Sequence, residues 1–152
     1  MPKTIFILNG PNLNRLGVRE PAIYGTDTLA MIRERCAARA ATHGLTVEFR
    51  QTNIEGLLIE SIHEACDSGA VGLIINPAGY SFTSVALVDA LKMFDGPKME
   101  VHLSNIHARD PMYHHSLVSK VATAVIAGLG AEGYLVAVDA VAARVQKAKA
   151  SS

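Results

Sequence analysis

The sequence predicts an α/β fold built on a five-stranded parallel sheet, and three observations predict it. Short apolar runs alternate with longer stretches of helical period, the pattern of βαβ units. The run Gly72-Leu73-Ile74-Ile75 is apolar on both faces, as a central parallel strand covered by helices has to be. Two helical stretches stop at a glycine, Gly44 and Gly69, the usual place for a left-handed terminator.

The elements follow in order. The first strand covers residues 4–8 and closes at Asn9-Gly10-Pro11, after which a glycine-rich, proline-containing loop runs to about Asp27. A helix over 28–43 begins on a cap at Asp27 or Thr28. The second strand is 46–50, and a second helix over about 54–68 places Leu57, Leu58, Ile62 and Ala65 on one face. The third strand, 71–75, ends at Asn76-Pro77; a helix over about 84–94 leads to the fourth strand at 99–103. A polar loop rich in histidine extends to Ser116, the fifth strand lies within 122–128, and the last helix runs from Ala131 toward Lys149. Five such pairs suggest a flavodoxin-like three-layer sandwich with strand order 2-1-3-4-5. Ligands then sit beyond the carboxyl ends of the strands, at the switch between the first and third. The loops that matter open at Asn9, Asn76 and Leu103.

At 152 residues the chain suits one well-packed domain, taken as residues 1–152. Fourteen basic and fourteen acidic residues cancel, so no global field draws the protein to nucleic acid or an anionic membrane. An anionic ligand must be held by a local cluster. Cys36 and Cys66 lack CxxC spacing, which suggests neither zinc nor a disulfide scaffold and fits a reducing cytoplasm. The start of the chain lacks the features of a signal peptide, and no apolar run approaches the roughly 18 residues of a membrane span.

Gly128-Leu129-Gly130-Ala131-Glu132-Gly133 spells GxGxxG between a strand and a helix, but no later strand with an acidic residue completes a dinucleotide unit. A tight turn with close helix packing explains these glycines more economically. The Gly10 to Gly17 stretch has no Lys-Ser or Lys-Thr pair, which excludes a P-loop. His102, His107, His114 and His115 cluster in sequence without a helical i,i+4 pair or a carboxylate partner, so neither metal nor cofactor is expected.

The stretch from Asn9 to Gly17, followed by Arg19-Glu20-Pro21-Ala22-Ile23-Tyr24-Gly25, is too long and too polar to be a mere connection. It forms a lid or pocket wall, although by spacing alone Asn, Gly and Pro serve turn geometry as readily, with Tyr24 as a packing anchor. Several segments resemble the type II 3-dehydroquinate dehydratases: Leu8-Asn9-Gly10-Pro11-Asn12-Leu13, Arg19-Glu20-Pro21 with Tyr24-Gly25, Asn76-Pro77, Thr83-Ser84-Val85-Ala86-Leu87 with Asp89-Ala90, Glu100-Val101-His102-Leu103-Ser104-Asn105, and His107-Ala108-Arg109. They occur in family order and span nearly the whole chain, including Gly128-Leu129-Gly130 and Gly133-Tyr134.

The resemblance implies elimination of water from a cyclic β-hydroxy ketone carboxylate, anti and through an enolate, without metal or cofactor. Tyr24 would be the general base that removes the proton α to the ketone. That requires a phenolate, and a free phenol with a pKa of about 10 is a poor source of one at neutral pH. Opposite charge within a few ångströms favours the ionised form, and Arg19 and Arg109 are the groups able to supply it. Asn12 would fix a water or the developing enolate oxygen. His102, oriented by Glu100 two residues earlier on the same strand face, would protonate the departing hydroxyl. Asn76, with the backbone and hydroxyl around Leu103 and Ser104, would grip the substrate carboxylate. The resemblance also implies a homododecamer, a tetramer of trimers, in which Asp89 reaches a neighbour's site.

Two positions depart from the family pattern. The histidine expected between two hydroxyl residues after Asn-Pro is Phe82, and the arginine expected four residues after Arg109 is Tyr113. Both expected residues recognise ring hydroxyls, so Phe82 and Tyr113 suit a less hydroxylated ring. Lost polar contacts of this kind cost roughly 1 to 3 kcal/mol each. Three readings follow: 3-dehydroquinate dehydratase, a related lyase or hydratase on a less hydroxylated cyclic keto acid, and a non-catalytic oligomeric paralogue.

Overall fold

The computed structural model describes residues 3–151. Strands β1 (Lys3–Asn9), β2 (Leu45–Gln51), β3 (Gly72–Asn76), β4 (Lys98–His102) and β5 (Ala124–Ala127) form one sheet in the order β2-β1-β3-β4-β5, every pair parallel. Side chains alternate across it, so each strand feeds two cores. Ile5 and Ile7 of β1 and Ile74 of β3 pack under α2 (Leu29–Thr42) and α5 (Glu132–Ala150). Phe6, Leu8, Leu73 and Ile75 point the other way, against α3 (Glu55–Asp67) and α4 (Val85–Leu91). This is the expected three-layer sandwich, a flavodoxin-like α/β architecture.

The structure differs from the expected elements in three places. The long first loop holds a 3-10 turn at Leu13–Arg15 and a one-turn helix, α1 (Pro21–Tyr24), whose proline sits at the first helical position where its ring presets φ. Helix α4 stops at Leu91 because Met93 and Phe94 bond to carbonyls three residues back, those of Ala90 and Leu91, which tightens the last turn. Leu57 does not share the buried face of α3. It is 45% exposed, whereas Leu58, Ile62 and Ala65 are buried.

Three glycines set the loops at the carboxyl end of the sheet. A side chain at Gly10 would collide with the backbone carbonyl of Pro77, so only glycine lets the exits of β1 and β3 run side by side, with the Gly10 amide donating to the Asn76 carbonyl at 2.8 Å. Gly128 and Gly130 of the GxGxxG segment adopt φ of 92° and 60° and donate to the carbonyls of His102 and Leu103 at 3.3 and 3.0 Å. The motif is a turn that fastens the start of α5 to the end of β4.

Candidate active site

A cavity of about 340 Å³ opens at the carboxyl end of the sheet, beside the exits of β1 and β3, where the strand order reverses. Its wall is drawn from the three predicted loops. Asn12, Arg19 and Tyr24 come from the first, Asn76 and Phe82 from the second, and His102, Leu103, Ser104, Arg109 and Tyr113 from the third. The loop bearing Asn12 is tied down by the turn after β2. The Asn12 amide donates to Asn53 Oδ1 at 2.9 Å, and Gln51 Nε2 donates to the Gly10 carbonyl at 3.2 Å. Asn12 and Ala78, both lining the cavity, hold φ of 70° and 52°, a conformation that costs a non-glycine residue on the order of 1 to 3 kcal/mol.

Tyr24 ends α1 with its ring half-buried and two guanidinium groups against it. Arg19 Cζ lies 4.9 Å from the ring centroid and Arg109 Cζ 5.4 Å. Arg19 also approaches Glu20 at 3.7 Å, but both side chains are about half exposed and the pair is correspondingly weak. Negative charge formed on Tyr24 would have these two cations close by.

His102 closes β4 beside a carboxylate. Its Nε2 makes a short hydrogen bond with Glu100 Oε2, while the Ser119 hydroxyl donates to Glu100 Oε1 at 2.6 Å. Glu100 is fully buried. Burial pulls its carboxyl upward, yet the hydrogen bonds from His102 and Ser119 prevail and hold it below the ordinary carboxylate range. With Nε2 engaged, Nδ1 is the imidazole nitrogen left for a ligand. Glu100 does not itself line the cavity, contrary to the expectation that strand alternation would place it there beside His102. The strand pleat does put both on one face, but His102 covers Glu100 from the cavity side.

The remaining wall divides by polarity. At one corner Asn76, Leu103 and Ser104 lie together, and Arg109 Nη1 reaches Ser104 Oγ at 3.4 Å. Arg109 also borders an aromatic wall. The Phe82 ring is inclined 29° to the His102 ring with centroids 6.4 Å apart, Tyr113 meets Phe82 edge-on at 5.4 Å, and Arg109 Cζ sits 4.0 Å over the Tyr113 ring. Asp89 is away from this cavity, on the exposed side of α4, where it pairs with Lys92 at 3.6 Å.

Sequence reasoning missed three residues that set this geometry. Ser119 belongs to a 3-10 turn (Val118–Lys120) that no periodicity marks. Tyr134 and Asn9 lie buried behind Asn76 and bond to it in series. One signal for Asn9 was available, since Ile5, Ile7 and Asn9 share a strand face and a polar residue extending an apolar face needs a buried partner.

The family model for class II dehydroquinases matches residues 3–142. A protein named 3-dehydroquinate dehydratase from Rhodopseudomonas palustris is 52% identical over 144 residues, covering 95% of each chain. Another of that name, from Streptomyces avermitilis, is 54% identical over the full length of both. The crystal structure of the type II dehydroquinase from Propionibacterium acnes superposes with a TM-score of 0.90 at 46% identity, over 94% of this chain and 98% of that one. The fold, the cavity at its switch point and these likenesses agree, and the chain belongs to the class II dehydroquinase family.

Proposed function

We propose that this protein dehydrates 3-dehydroquinate to 3-dehydroshikimate by anti elimination through an enolate. The observation that carries the reading is the shared cavity of Tyr24 and His102, with Arg19 and Arg109 against the tyrosine ring. Tyr24, as phenolate, takes the proton from the carbon α to the ketone, and the electron pair moves onto the ketone oxygen. Asn12 meets that oxygen directly or through a water, and stabilises charge where it develops. The enolate then collapses, the carbon to hydroxyl bond breaks, and His102 gives its Nδ1 proton so that water leaves. Glu100 holds the imidazole in place and balances its positive form. Asn76, Ser104 and the Leu103 backbone take the ring carboxylate. The ketone is itself the electron sink, so the scheme calls on neither metal nor organic cofactor. The enzyme would work as a cytoplasmic homododecamer, with Asp89 offered to a neighbouring site.

A direct test follows the conjugated enone product in the ultraviolet. Tyr24→Phe and His102→Ala should each lower kcat by roughly 10²- to 10⁴-fold. Substrate deuterated at one α position distinguishes anti from syn loss. Wild-type protein without turnover, or Tyr24→Phe with full turnover, would overturn the scheme.

The aromatic wall favours one second reading, a cyclic keto acid with fewer hydroxyls at the Phe82 and Tyr113 end. Weak turnover of 3-dehydroquinate that rises in Phe82→His with Tyr113→Arg supports it. Robust turnover in the wild type rejects it.

A further inference from the structure

Behind the polar corner of the cavity, a hydrogen-bond chain crosses the sheet from β2 to the β3 exit. Asn9 Nδ2 donates to the Arg50 carbonyl at 3.0 Å, the Tyr134 hydroxyl donates to Asn9 Oδ1 at 2.7 Å, Asn76 Nδ2 donates to the Tyr134 oxygen at 2.9 Å, and the Ala78 amide donates to Asn76 Oδ1 at 3.2 Å. Asn9 and Tyr134 are wholly buried and Asn76 is 3% exposed, so water does not compete for these bonds. Asn9 and Asn76 pair in register at the ends of β1 and β3, and Tyr134 reaches both from α5.

The direction of every bond is set by the two backbone groups at the ends. The Arg50 carbonyl can only accept, so Asn9 turns its NH2 to it and its oxygen to Tyr134. That oxygen can only accept, so the Tyr134 proton is spent there and its lone pair faces Asn76. At the other end the Ala78 amide can only donate, which turns Asn76 Oδ1 to it. The two ends agree. Asn76 keeps one amide hydrogen, and Asn76 borders the cavity. Burial pushes the Tyr134 phenol well above its ordinary range, so the chain keeps its direction at any working pH.

We propose that Tyr134, oriented by Asn9, is a positioning residue that joins the Ala78 amide in fixing the polarity of the Asn76 amide, so that the cavity receives an N–H donor there and selects a ligand oxygen anion. This inference rests on the proposed function for the identity of the substrate, but not for the chemistry of the corner. Without the tyrosine oxygen, Asn76 loses the acceptor that anchors its NH2. Without Asn9, the tyrosine proton swings to Asn76 and favours the flipped amide, which turns a carbonyl toward the ligand's carboxylate.

The test is Tyr134→Phe, which removes one oxygen, with Asn9→Ser and the double variant beside it. Each should raise KM for 3-dehydroquinate roughly tenfold while kcat stays within about threefold, the loss of a charge-assisted contact made equally in ground and transition states. The double variant should be no worse than the poorer single, because both cut one chain. Quinate, titrated calorimetrically, should weaken to the same degree, whereas a cyclohexanetetrol lacking the carboxylate should not change. Quinate binding decides the point even if 3-dehydroquinate is not turned over, and Asn9→Ser decides it if Tyr134→Phe does not fold. Variants that lose melting temperature yet keep the wild-type KM and quinate affinity overturn the proposal, as does an equal loss of the tetrol.

Discussion

Tyr24 and His102 reach one cavity from residues 78 positions apart, and only the sheet brings them together. The residues of the site were legible through the motifs that contain them and through strand alternation, which put Glu100 and His102 on one face. What the sequence did not convey was depth. Glu100 sits behind His102, and Tyr134 reaches Asn9 from 125 positions away, a contact no local pattern records. Depth has a measurable consequence. The folded state holds the Glu100 carboxyl below its ordinary value, so it binds fewer protons there than the unfolded chain. Glu100 therefore contributes stability that is complete above the ordinary carboxylate range and is lost as pH falls through its lowered folded value. Denaturant midpoints measured from pH 7 down to 3 should fall more steeply for the wild type than for Glu100→Gln. Equal slopes would mean that His102 and Ser119 do not hold the carboxylate.

Among the elements, strands and long helices matched their expected positions to within a few residues, because parallel strands buried on both faces and glycine stops are strong local signals. Short elements were missed. Helix α1 is a single turn, too short for a period to mark, and the 3-10 turn at Ala78–Phe82 is held by a distant segment, the Tyr80 hydroxyl donating to the Asn53 carbonyl at 2.7 Å. Helices α2 and α4 carry side-chain caps: Thr28 Oγ1 accepts from the Met31 amide at 3.2 Å in an exposed setting, and Ser84 Oγ accepts from the Leu87 amide at 3.0 Å in a buried one. Removing either cap costs about 0.5 to 2 kcal/mol. Ser84→Ala belongs at the upper end, since it leaves a buried amide without partner or water, and Thr28→Ala at the lower. Urea denaturation of the two variants orders them, and an equal or reversed order would contradict the role of burial. Ser84 also follows the segment carrying Phe82, so its loss should loosen the aromatic wall and raise KM modestly.

For the whole molecule the proposed assembly turns on whether copies of the chain share a site. Asp89 is exposed on α4, pairs with Lys92 and does not line its own cavity, so the proposed part in recognising substrate is one played on a neighbour. Asp89→Asn alone should lower kcat/KM by roughly 10- to 100-fold, the cost of about 1 to 3 kcal/mol for one polar contact. Tyr24→Phe should be nearly inactive through its own site. If both are true, the two defective chains complement. In assemblies formed by co-expression in equal amounts, a site is intact when an Asp89→Asn chain supplies Tyr24 and a Tyr24→Phe neighbour supplies Asp89. The chance is one half times one half, about a quarter of all sites in a ring of heterologous contacts. Mixed assemblies should then recover about a quarter of wild-type activity, well above the mean of the two parents. Activity equal to that mean would show that Asp89 serves its own chain or none, and would remove the shared site from the proposed assembly.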